Sequence, residues 1–114
     1  LVDMKNVEAF FYFKDNTVLY IESKTGIYNN KTLDMIFKDK IKAKYNNSEL
    51  YADKAEYANS KGFLTISKDV KVIDAKGTIF ADKLLFDIKN QTLNITSVNN
   101  SKINANINLD EKRF

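Results

Sequence analysis

The sequence has no cysteine, histidine, proline or tryptophan, and only three glycines in 114 residues. Without cysteine it can form neither a disulfide nor a thiolate metal site. Without histidine it lacks the commonest general base and the commonest transition-metal ligand. No cofactor is expected. No apolar run approaches the roughly 18 residues that span a bilayer as a helix. The longest, Ala9 to Phe13, is strand-sized, and no signal-peptide pattern is present. Charge of one sign is not concentrated either: 18 basic and 15 acidic residues leave a net +3 spread along the chain. Neither a basic block nor an aromatic platform beside one is present, so the features of a nucleic-acid binder are missing. The lysines are expected to solvate strand faces. A mild preference for anionic partners, including phosphorylated lipid headgroups, is the second reading.

What is present suits one folded domain over residues 1–114: 44% of residues are hydrophobic and 29% charged, and the length allows one real core. Apolar and polar residues alternate in Ile41–Tyr45, Leu64–Ile66, Val70–Val72, Leu93–Ile95 and Ile103–Leu109. Period two gives one dry and one wet face, the pattern of a half-buried strand. Asn, Asp and Gly clusters separate these runs, as at Asn29-Asn30, Asn46-Asn47, Asn59 to Gly62, Asp74 to Gly77 and Asn99-Asn100. Such residues tolerate the positive φ of tight hairpins. The spacing predicts an antiparallel meander. Only Ser48–Asn59 has helical composition, and the repeat makes it a strand.

The repeat has a period of 29 residues. Leu50-Tyr51-Ala52-Asp53-Lys54-Ala55-Glu56-Tyr57 matches Ile79-Phe80-Ala81-Asp82-Lys83-Leu84-Leu85-Phe86, and, one period earlier, Ile21-Glu22-Ser23-Lys24-Thr25-Gly26-Ile27-Tyr28. The shared pattern is aliphatic, any, small, usually Asp, usually Lys, two variable, aromatic. Each unit is expected to hold three or four short strands, and units bury their dry faces by stacking. The small residue should point inward, and Asp53 and Asp82 should cap a bend.

Alternation places Tyr28, Met35, Phe37, Ile41, Ala43, Leu50, Ala52, Tyr57, Leu64, Ile66, Val70, Val72, Ile79, Ala81, Phe86, Leu93 and Ile95 inside. Taken residue by residue, such a set is what the core of any β-sandwich would show. A glycosidase would need two carboxylates at a set separation in a cleft. The candidates Asp53, Asp82 and Asp87 include two related by the repeat, which favours a structural origin; no enzyme is expected. The Asn-x-Ser/Thr matches, such as Asn30-Lys31-Thr32, carry no function.

Four segments resemble a known family: Asn6-Val7-Glu8-Ala9, Gly26-Ile27-Tyr28, Leu50 to Tyr57, and Val70 to Leu84. They are similar to the OstA-like proteins of lipopolysaccharide export, and within them to the LptC family, from about Asn6 to about Leu109. LptA and the N-terminal domain of LptD share the repeated unit. The Asn-Val-Glu-Ala opening and the length favour LptC. The resemblance implies an all-β antiparallel jellyroll, open at both ends, that holds lipopolysaccharide acyl chains in its apolar interior, so the inward residues above become lipid-binding candidates. It implies partners too: a LptA-like periplasmic protein and an inner-membrane LptB/LptF/LptG-type transporter. Docking would use edge strands, around Glu8–Phe13 and Ile103–Leu109. The implied location is the periplasm, at the inner membrane. A chain running from Leu1 to Phe114 is expected to be a piece of a longer protein, its anchor lying outside this sequence.

Overall fold

The computed structural model describes residues 1–14, 16–96 and 104–108. Within them eight strands follow one another: β1 (Val2–Tyr12), β2 (Val18–Tyr28), β3 (Met35–Tyr45), β4 (Ser48–Ala58), β5 (Phe63–Asp74), β6 (Gly77–Asp87), β7 (Thr92–Thr96) and β8 (Asn104–Asn108). Each pairs antiparallel with the next, giving one open sheet in the order β1 to β8. The fold is all-β, and Ser48–Ala58 is a strand despite its composition. Ile103, Leu109 and the Asn99-Asn100 turn signal lie outside the described residues.

The turns form where the side chains can build them. Asn29 Oδ1 accepts from the amides of Lys31 (3.0 Å) and Thr32 (3.2 Å). Asp74 Oδ1 accepts from Lys76 (2.7 Å) and Gly77 (3.1 Å). Asn46 and Gly62 take positive φ, 53° and 69°. These side chains replace the ladder that the backbone loses at each reversal.

The strands are fewer and longer than expected. A 29-residue unit holds two strands of 11 or 12 residues, not three or four short ones. The alternation breaks in mid-strand because each strand changes phase there. On β2, β4 and β6 consecutive inward residues stand three apart, at Ser23/Gly26, Ala52/Ala55 and Ala81/Leu84. On β3 and β5 they stand four apart, at Phe37/Ile41 and Ile66/Val70. The register shifts between the same residues in all four pairings from β2 to β6. Asp39, Lys40, Lys68 and Asp69 make the longer steps with φ of 64°, 51°, 67° and 55°, the left-handed turn of a bulge. Asp53 and Asp82 do not cap a bend. They are exposed, outward members of the shorter steps, and among the described residues neither side chain holds the backbone.

Bulges bend strands, and this line of them folds the sheet over its own inner face. The end of the β1–β2 hairpin comes over to the turn between β6 and β7. Phe13 packs on Tyr45 (5.5 Å between centroids) and Tyr45 on Phe86 (6.0 Å), both edge-to-face. Phe11 meets Tyr57 at 4.9 Å, and the Lys14 amide donates to Gln91 Oε1 at 3.3 Å.

One polar group inside this core lacks a partner among the described residues: Ser48 Oγ, on a residue 1% exposed. A buried hydroxyl without a hydrogen bond carries an uncompensated desolvation cost. Ser48→Ala is therefore expected to raise stability by about 1 kcal/mol, read as a higher urea midpoint at unchanged slope.

Candidate functional site

The feature most open to function is the inner face of the folded sheet. Phe37, Ile41, Ala43, Leu50, Ala52, Leu64, Ile66, Val70, Val72, Ala81, Phe86, Leu93 and Ile95 are buried there, as alternation predicts. Tyr28, Met35 and Tyr57 point the same way but are half-buried. Ile79 differs: it is 43% exposed. Its partner across the ladder is Val72, which is buried, so Ile79 faces the interior side.

The inward set read from the sequence omits Val7, Phe13, Leu19, Ile21, Tyr45, Ala55 and Leu84, all buried. Ala55 and Leu84 turn inward only because the phase changes at Asp53-Lys54 and Asp82-Lys83. The recurrence of Asp-Lys at that place in two copies of the repeat is the signal that marks them.

Because the sheet folds obliquely, two corners of its inner face are only partly covered by the described residues. At one, Met4, Tyr28 and Met35 are half-exposed near the open ends of β1 to β3. At the other stands Ile79 on β6. Between these corners the interior is dry and filled. Leu19, Ile21, Phe37, Ala43, Ala55, Leu64, Ile66 and Leu84 have no exposed surface.

The outer face carries polar cross-links beside exposed Phe10, Tyr12 and Phe80. The Tyr20 hydroxyl lies 2.9 Å from Glu8 Oε1 and 3.0 Å from Glu22 Oε2, one proton between two carboxylates. The hydrogen bond to Glu8 first, then desolvation and Glu22, push the phenol well above its ordinary range. Tyr51, which donates to Glu49 Oε2 at 2.7 Å, is raised for the same reason. Both stay neutral and donating at any physiological pH. Asp87 accepts from Asn90 N (3.1 Å) and Nδ2 (2.8 Å) in the turn after β6. Asp53 and Asp82 stand apart on β4 and β6 with one strand between them. Among the described residues no three potential metal ligands cluster.

Comparison with known proteins gives one family. The model described as LptC, lipopolysaccharide-assembly, LptC-related, matches residues 1–103. No curated protein matches the chain.

Proposed function

The chain belongs to the LptC-related lipopolysaccharide-assembly family, which gives it a role in lipopolysaccharide transport, and from that premise we propose that it is a periplasmic bridge which holds acyl chains inside the folded sheet. The family match carries this reading, and the dry interior with two partly covered corners supports it. Each CH₂ removed from water contributes roughly 0.8 kcal/mol, so an apolar passage retains acyl chains without any covalent step. The half-exposed Met4, Tyr28 and Met35 form one mouth and Ile79 the other. Methionine suits a mouth because its unbranched side chain repacks around irregular apolar ligands. Chains entering there displace side chains of the interior, and ATP hydrolysed by the inner-membrane transporter supplies the work. This domain itself catalyses nothing.

Docking to the transporter and to a LptA-like protein uses free sheet edges, where unpaired backbone groups add a strand from the partner. β1 is one such edge and β8 the other among the described residues.

A purely structural β-repeat is the rival, favoured by the complete burial of Phe37, Leu64 and Leu84. Photocrosslinking to purified lipopolysaccharide separates the two. Probes at Met35, Val72 and Ile79 are expected to capture it, and a probe at outward Lys71 is not. A folded protein with no crosslink at any inward position would leave the structural reading standing.

A further inference from the structure

Ser48 stands at the rim of the inner face. It is the first residue of β4, follows the exposed Asn46-Asn47 turn and pairs with Tyr45 on β3. On its other side the ladder to β5 begins only at Glu49 and Ile73. Its phase is that of Leu50 and Ala52, so its side chain points inward. Its neighbours on that face are Tyr45 directly across, Leu50 next along the strand and Ala43 opposite Leu50, all buried. From Leu50 the row runs through Val72 to the partly exposed Ile79. Ser48 Oγ has no hydrogen-bond partner among the described residues, so its capacity to donate and its capacity to accept are both unused. The fold does not require a hydroxyl at this place. One repeat earlier the position holds Leu19, which is fully buried and also pairs with Tyr45. An unpaired buried polar group is expected where a ligand supplies the partner.

We infer that Ser48 is a polar anchor of the interior and selects lipid chains that carry a hydroxyl close to the headgroup. The inference deepens the interior-binding reading and rests on it. A hydroxyl both donates and accepts, so one such group satisfies both sides of Ser48 Oγ, whereas a carbonyl only accepts. The place of Ser48 fixes where on the chain that hydroxyl lies. With the headgroup in water beside the exposed Asn46-Asn47 turn, only the first few carbons of the chain stand next to Ser48. A plain chain buries the same CH₂ groups but leaves Ser48 unpaired. Discrimination comes from that unpaired group, because a site built to hydrogen-bond a hydroxyl rejects the analogue that lacks it.

The test is calorimetric binding of tetradecanoate and β-hydroxytetradecanoate, which differ by one hydroxyl, to the folded chain. The hydroxylated lipid is expected to bind about fivefold tighter, the worth of one net hydrogen bond. Ser48→Ala is expected to bind tetradecanoate as the unaltered chain does and to lose the preference. Removing the unpaired hydroxyl raises the stability of the free protein, so lost preference in this variant is not lost structure. Equal binding of the two lipids by the unaltered chain overturns the inference and leaves interior binding standing. So does a preference that survives in Ser48→Ala. Binding of neither lipid removes the interior reading and this inference with it.

Discussion

Tyr45→Ala is expected to remove about 4 kcal/mol of folding stability. The ring is 1% exposed and sits between Phe13 and Phe86, joining the β1–β2 hairpin to the C-terminal half of β6. Truncation deletes a large buried body and leaves a cavity that a close-packed interior fills only in part. Against a total of about 5–15 kcal/mol for a domain, the loss is large enough to lower the urea midpoint severely. Phe86→Ala should cost a similar amount. The double variant should cost less than the sum by about 1 kcal/mol, the coupling of an edge-to-face pair. Strict additivity of the two losses would mean that the rings do not act together and that the fold is closed elsewhere.

Gly26→Val should cost at least about 3 kcal/mol by overpacking. A Cβ at Gly26 would stand 2.9 Å from the carbonyl oxygen of Ile36 and 3.2 Å from Val7 Cγ2. The oxygen belongs to the paired backbone of β3 and cannot move without disturbing a ladder, while the Val7 methyl can yield only by repacking inside the core. The damage should be local at first: hydrogen exchange is expected to quicken in β1, the edge strand, before β4 and β5. Ile27→Val, one residue along and facing outward, should cost less than about 1.5 kcal/mol. Equal losses at the two positions would contradict the close approach.

These two positions show where reading the sequence stops. Gly26, Ala55 and Leu84 occupy the same place in three copies of one repeat, and all three point inward. Their volumes differ because their surroundings differ: β2 is squeezed between Val7 and the β3 backbone, whereas Leu84 fills the deeper interior of β6. A repeat fixes the backbone role of a position, but the space beside it is set by strands distant in sequence. Tyr45 makes the same point. It ends a perfectly alternating run, yet nothing in that run says that it meets Phe86, forty-one residues away in the chain.

Period two, turn chemistry and the 29-residue repeat by themselves determined an all-β meander and much of the dry face of β3 to β7, and four short segments carried the likeness to the LptC family. Those are local properties, written in side-chain alternation and in the few residues that accept positive φ. The tertiary structure alone decided how many strands a repeat contains, because the bulges at Asp39-Lys40 and Lys68-Asp69 keep one strand continuous where alternation suggests two. It also decided which inward residues are covered. Folding the sheet across that line of bulges seals Val72 and leaves Ile79, its direct cross-strand partner, open at a corner. Burial depends on what lies opposite a side chain, and no pattern along a single strand records that.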